Sequence, residues 1–220
     1  MKTSFTPLAS LGAIALCLAA GHASAADVSP WTVRLGPAHV GFSTKADVSV
    51  GGNPVPGGDA SASSNTTLGI ELAYDVSDRL TARFLAGIPP ETTLTGKGSL
   101  ASAGRLGKVT YAPAVLSLTY KLLNEGPVRP YVGAGINYTI VTRNRDAFIQ
   151  DLDTRSAWGS VLQVGVEMPI DPTWSVSLDA RKIFLKTKAT GTLPAFGGAP
   201  TRADVRLNPL VVFLSVGRRF

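Results

Sequence analysis

The stretch RPYVGAGINYT, residues 129–139, alternates with a period of two. From Val132 the even positions are Val132, Ala134, Ile136, Tyr138 and Ile140, and the odd ones are Gly133, Gly135, Asn137 and Thr139. That pattern marks a β-strand. Its apolar side suits hydrocarbon as well as a protein core, and its other side carries glycines and small polar groups that leave room. The medium that the apolar side faces is set by the rest of the chain.

Seven more segments alternate in the same way, giving eight in all: 31–41, 66–76, 80–88, 111–123, 128–142, 158–170, 174–187 and 204–220. Most reach the roughly 9 to 11 residues that a tilted strand needs to cross a bilayer, whereas ordinary soluble strands are nearer 5 to 6. Their connections alternate too. Ser77-Asp78-Arg79, Asn124-Glu125-Gly126-Pro127 and Asp171-Pro172-Thr173 are tight, while 42–65, 89–110, 143–157 and 188–203 are long. Short periplasmic turns and long extracellular loops in strict succession predict an all-β fold, an eight-stranded antiparallel up-and-down transmembrane β-barrel. The long connections are rich in Gly, Ser, Pro and Thr and are expected to be mobile tips.

The N-terminus reads as a secretory signal. Lys2 supplies the positive end, Leu8 to Ala20 an apolar core, and Ala23-Ser24-Ala25 a cleavage site, which divides the chain into a signal peptide, 1–25, and a barrel, 26–220. Cys17 leaves with the signal, so no disulfide or thiol chemistry is expected. Removing Lys2 leaves 20 basic against 15 acidic side chains, without a run of five like charges, which argues against a nucleic-acid partner. Beyond the signal no apolar run approaches the roughly 20 residues of a spanning helix. No cofactor or metal is expected either, for lack of a Cys/His cluster or a strand-turn-helix glycine motif.

Counting back from Phe220 gives Val216, Leu214, Val212 and Leu210, and the chain closes on an aromatic residue as outer-membrane barrels do. With the run at 129–139, with Trp31-Thr32-Val33-Arg34, with Asn65-Thr66-Thr67-Leu68-Gly69-Ile70, with Ile88-Pro89-Pro90 and with Asn208-Pro209, the chain resembles the OmpW family of eight-stranded outer-membrane barrels, which includes AlkL-type hydrocarbon uptake proteins. The resemblance implies residence in the outer membrane of a Gram-negative bacterium. It also implies a porin-like, narrow channel for passive uptake of small hydrophobic molecules, with lateral release into the bilayer. The partners it implies are outer-membrane lipid and lipopolysaccharide, small hydrophobic solutes and, through Phe220, the outer-membrane assembly machinery.

With the apolar sides turned to lipid, parity sends Arg34, Glu71, Arg83, Lys121, Glu167, Asp179 and Arg181 into the lumen. An eight-stranded interior is only wide enough for side chains to fill it, so these charges are read as a paired polar plug. Leu85, Val115 and Val161 point inward and would line an apolar vestibule toward the outer end. Pro89, Pro90 and Pro113 cannot donate to the ladder and would loosen a lateral seam there, although they equally suit strand ends where the second loop begins. Pro37 and Pro209 raise the same question between the first and last strands.

Two rival classes remain. A barrel enzyme acting on lipid A needs a histidine base beside a serine or acid, and the chain after the signal offers only His39, near Ser43 and Asp47. A lone histidine is more often a surface residue than a base, and no catalytic residue is assigned. A loop-display adhesin would need ordered, sticky loops. Basic residues at Lys97, Arg105, Lys108, Arg143, Arg145 and Arg202 read as a solvated surface, with lipopolysaccharide phosphates as the alternative partner.

Overall fold

Strands that show apolar groups to lipid leave no water to satisfy their backbones, so the sheet must close on itself. The computed structural model describes residues 29–194 and 197–220; the signal peptide and its cleavage site fall outside them. Among these residues eight strands form the wall: β1 Trp31–Gly41, β2 Asn65–Asp75, β3 Leu80–Gly87, β4 Arg105–Lys121, β5 Arg129–Asp146, β6 Ala157–Pro169, β7 Trp174–Leu193 and β8 Leu210–Arg219. Each pairs antiparallel with the next, and β8 returns to β1. The fold is the expected up-and-down barrel.

Parity holds along the wall. Leu35, Leu72, Phe84, Leu116, Leu118, Val132, Ile136, Leu162, Leu178 and Leu214 are exposed on the outside, while their strand neighbours are buried. Trp31, Tyr74, Tyr120 and Trp174 lie at the periplasmic ends of their strands, with Trp31 and Tyr74 stacked at a centroid distance of 4.7 Å. They make the aromatic girdle of the inner interface. Arg218, a charge in an otherwise apolar row, places its guanidinium 5.7 Å from the Trp174 ring and 5.6 Å from the Phe220 ring, within cation–π reach of both at the periplasmic end of the wall.

Two expectations are corrected. The last segment is not continuous from residue 204. Ala199–Arg206 is an extracellular strand paired with β7, and the chain breaks at 207–209 before β8 starts at Leu210. Pro209 supplies no donor, and Asn208 has φ of 34°, a left-handed conformation that Asn tolerates better than most residues.

The long connections are also largely β-ordered rather than loose. Glu91–Gly98 pairs with the upper half of β4 and with Gly58–Ala62, and Lys45–Val50 pairs with Ala199–Arg206. Ala46, Val48, Leu106, Leu152 and Leu193 from these segments are buried, and that inward apolar row orders a composition that otherwise reads as loop.

Candidate functional site

The lumen is filled at mid-depth by an ion-paired network. The Glu71 carboxylate on β2 receives Arg83 Nη1 at 2.9 Å and Arg34 Nη1 at 3.3 Å, and it also pairs with Arg181. Glu167 Oε2 takes Arg34 Nη2 at 2.6 Å, and Asp179 Oδ1 lies 2.8 Å from Arg181 Nε. Three guanidinium groups thus face three carboxylates, and almost none of this surface meets solvent. A buried charge without a partner is severely destabilising, so neutrality here is a condition of folding.

Sequence parity grouped Lys121 with this plug, and the structure separates it. Lys121 Nζ donates to Asp75 Oδ1 at 2.9 Å, and Arg219 pairs with the same carboxylate. This second cluster lies at the periplasmic end, four residues along β2 from Glu71. Removing Lys121 from the central group is what leaves that group balanced at three against three.

Tyr131 is a member that the sequence reading passed over. Its ring lies 4.2 Å from the Arg83 guanidinium, and its hydroxyl donates to Asp179 Oδ2 at 2.8 Å. Gln163 Nε2 donates to the same oxygen at 2.5 Å, while Ser117 donates to Gln163 Oε1 at 2.6 Å. The signal was present, because Tyr131 has the parity of Gly133 and Gly135.

Above the plug the lumen turns apolar. Leu85, Val115 and Val161 are all buried in one cluster with Ala38, Val40, Ile183, Leu185, Val211 and Phe213. A narrow apolar cavity of about 70 Å³, which a guest the size of a fused aromatic would have to widen, begins one layer higher. The cluster shares Val40, Ile183, Leu185 and Val211 with the cavity wall, whereas Leu85, Val115 and Val161, expected to line the vestibule, belong to the cluster but are not among the cavity's lining residues. A second apolar space of about 60 Å³ follows toward the outside, and the two have Leu94, Ala189 and Val205 in common. The outer space is walled by Val48, Leu106, Leu152 and Leu193, the inward rows of the extracellular strands. Apolar walls with a few polar groups at the rim are the usual lining of a small-molecule site.

The pairing of β3 with β4 stops beside the inner cavity. The β3–β4 register pairs run from Leu80↔Tyr120 to Leu85↔Val115, and above them Tyr111 N–H donates to the Pro90 carbonyl at 3.1 Å. Between these points, Pro113 faces the stretch 86–89. Tyr111 and Val115 turn their N–H groups toward β3, so by alternation Pro113 would do so as well, and it has none to offer. Ile88 N–H points the other way, to the Leu68 carbonyl, which leaves Pro89 facing the gap, also without a donor. Pro90 plays a different part from the one expected: it is buried, and its carbonyl closes the gap from above. Pro113 itself lines the cavity. At the rival seam, β1 and β8 pair on both sides of Pro37, up to Gly41↔Leu210.

His39 points outward. It is exposed, with Nδ1 2.9 Å from Thr66 Oγ1 on the neighbouring strand. At the extracellular rim, Lys108 Nζ sits 2.6 Å from Glu91 Oε1 and Arg145 Nη1 3.4 Å from Oε2, so two of the basic residues assigned to the loop surface are internally paired. The Lys108 hydrogen bond holds the Glu91 carboxyl below the usual carboxylate range.

A closed eight-stranded wall with a lipid-facing belt, a neutral charged plug and an apolar chamber above it defines an outer-membrane β-barrel. The chain belongs to the OmpW family, whose sequence model matches residues 30–220. It is 44% identical over 195 residues to the dibenzothiophene metabolism operon protein PahQ of Pseudomonas aeruginosa, covering 89% of this chain and 90% of that one. Outer membrane protein AlkL of Ectopseudomonas oleovorans is 32% identical over 174 residues, 79% of this chain and 74% of AlkL. The solid-state NMR structure of AlkL in DMPC bilayers superimposes with a TM-score of 0.69 at 28% identity, covering 91% of this chain and 95% of that one. The crystal structure of OprG from Pseudomonas aeruginosa has the same fold, with a TM-score of 0.81 at 24% identity over 88% of this chain and 97% of OprG. Like AlkL, this protein resides in the bacterial outer membrane.

Proposed function

We propose that the barrel admits small hydrophobic molecules from outside and releases them sideways into the outer membrane. The observation that carries this reading is the stacking of an apolar chamber on an ion-paired plug, with the chamber's wall interrupted beside Pro113. An uncharged solute that enters the chamber meets three arginines and three carboxylates below it. Passing them would mean breaking desolvated ion pairs for no compensating contact. The gap at the β3–β4 seam leads instead to hydrocarbon, where such a solute is stable.

The relationship to a dibenzothiophene operon protein supports a planar aromatic solute as the substrate class. The walls agree with it. Phe42 and Tyr111 meet edge to face at 5.9 Å on one side, and aliphatic Val141, Ile183, Leu185 and Leu207 make up much of the rest. Rings of this kind offer an aromatic guest an edge or a face to pack on.

Uptake into liposomes containing the barrel tests the reading, comparing dibenzothiophene with a sugar of similar size. Faster entry of the aromatic compound, with no sugar flux above empty liposomes, is expected. Equal flux of both would overturn it.

A further inference from the structure

The outer face of β7 changes character within one residue pair. Phe184 is its last exposed apolar residue, and Lys186 and Lys188 follow on the same side. At roughly 3.3 Å per residue, Lys186 stands about 7 Å above Phe184, at headgroup level. Its partner on Ala199–Arg206 is Arg206, and the partner of Arg206 on Lys45–Val50 is Lys45. Three cations therefore lie side by side across three strands, an arrangement that is destabilising without a counter-charge.

The protein supplies little of that counter-charge. Asp47 Oδ2 is 3.5 Å from Arg206 Nη2, and Asp204 Oδ1 is 3.9 Å from Lys188 Nζ, with both acids largely in solvent. Pairs this exposed contribute little. With Arg155, five cations share this face with two carboxylates.

The surface beneath is shaped as well as charged. Two hollows indent the outside of the wall and have Lys186 and Arg206 in common. The upper one is bounded by Arg155, Lys188, Asp47 and Asp204, and the lower one by Trp158 and Phe184, both exposed to lipid. An occupant that satisfies both is apolar below and strongly anionic above. A soluble anion leaves the aromatic hollow unused. A zwitterionic phospholipid brings its own cation to a face already in excess.

We propose that this face binds a phosphorylated saccharolipid of the outer leaflet, the lipid A part of lipopolysaccharide, with an acyl chain between Trp158 and Phe184 and its phosphates on Lys186, Arg206 and Lys45. The net charge of +3 on the face matches two phosphate monoesters at about −1.5 each. The site lies against the far side of the chamber wall, since Arg155, Ala157, Thr187 and Val205 border both the upper hollow and the inner cavity. A bound acyl lipid would cover this part of the wall and leave the Pro113 seam as the exit.

The test uses the barrel in phosphatidylcholine nanodiscs, with Trp31→Phe and Trp174→Phe so that Trp158 reports alone. Diphosphorylated lipid A, its dephosphorylated form and phosphatidylglycerol are titrated in turn, and retained lipid is counted by native mass spectrometry. The first should give a saturable change in Trp158 emission and one tightly held copy. Lys186→Gln with Arg206→Gln should weaken it roughly thirty-fold, at about fivefold per lost surface charge, and Lys97→Gln should leave it unchanged. Folding of each variant is checked by its heat-dependent gel shift. Unchanged binding in the double variant, equal binding of dephosphorylated lipid A or of phosphatidylglycerol, or no retained lipid would each overturn the proposal.

Discussion

Glu71 on β2 and Arg83 on β3 meet at the centre of the barrel, with Oε1 and Nη1 2.9 Å apart and both side chains about 1% exposed. The same carboxylate also serves Arg34 and Arg181, so one acid pairs with three bases drawn from three other strands, and Glu167 and Asp179 supply the remaining counter-charge. Glu71→Gln keeps the shape and removes the charge. It leaves an excess of buried positive charge, which is expected to cost about 3–5 kcal/mol. Urea unfolding in micelles should show the lowered midpoint, and planar-bilayer recordings should show more anion leak than the native barrel gives. A midpoint within error of native would mean that the plug does not depend on this carboxylate.

That plug was largely legible in the sequence because charge and parity are both local properties. Arg34, Glu71, Arg83, Glu167, Asp179 and Arg181 each sit one residue away from a lipid-facing apolar group, and a barrel has only one inside. Height was not legible. Lys121 shares their parity, yet it belongs with Asp75 near the periplasmic end, because strand stagger sets depth and a single sequence does not contain the register. The chamber's lining was not legible: Leu85, Val115 and Val161 cluster with some of its wall residues without lining it. Its walls come from short alternations such as Ala46 and Val48, interrupted by Gly and Pro and thus read as loop, and they gain meaning only when four extracellular segments pair.

The glycines of the stretch 129–139 make room for a neighbouring strand rather than for a ligand. A Cβ on Gly135 would stand 2.6 Å from Ser117 Cα and 2.8 Å from its Cβ on β4. Because part of the obstruction is backbone, it cannot swing aside. Gly135→Ala is expected to destabilise the barrel by about 1–3 kcal/mol, the usual cost of overpacking. Gly126→Ala in a periplasmic turn meets no atom within 4 Å but must hold φ of +93°, so its cost is conformational and stays outside the wall. Thermal unfolding followed by gel shift distinguishes them: only the first should loosen protection of the β4 and β5 amides.

Asp171 caps the turn between β6 and β7. Its Oδ1 accepts the Thr173 N–H at 2.7 Å, the Thr173 hydroxyl at 2.8 Å and the Trp174 N–H at 2.7 Å. The Thr173 amide is the largest of the causes that hold its carboxyl below the ordinary aspartate value of 3.8. A lowered folded value means that this support is fully present above the ordinary value and is lost as pH falls through the folded one. Carboxyl NMR titration should therefore place Asp171 below free aspartate. Asp171→Ala should speed hydrogen exchange at the Thr173 and Trp174 amides at neutral pH, and Asp171→Asn, which keeps the acceptor oxygen, should largely spare them.

Entry and exit are separable because different residues govern them. Val141 lines the chamber from β5, so Val141→Trp fills space that a solute would need. Uptake of dibenzothiophene into liposomes should fall by an order of magnitude or more, and binding to the detergent-solubilised barrel should weaken with it. Pro89 and Pro113 act later. Replacing both with Ala returns two N–H donors to the gap that follows Leu85↔Val115, and a closed ladder should slow transfer to the bilayer by far more than any change in chamber binding, which is measured alongside because Pro113 lines the cavity. Stopped-flow transfer of a fluorescent aromatic from barrel to labelled lipid measures that step directly. Native transfer rates in the Pro89→Ala, Pro113→Ala variant, together with new amide protection at residues 89 and 113, would show that the seam had closed without consequence and that solutes leave by another route.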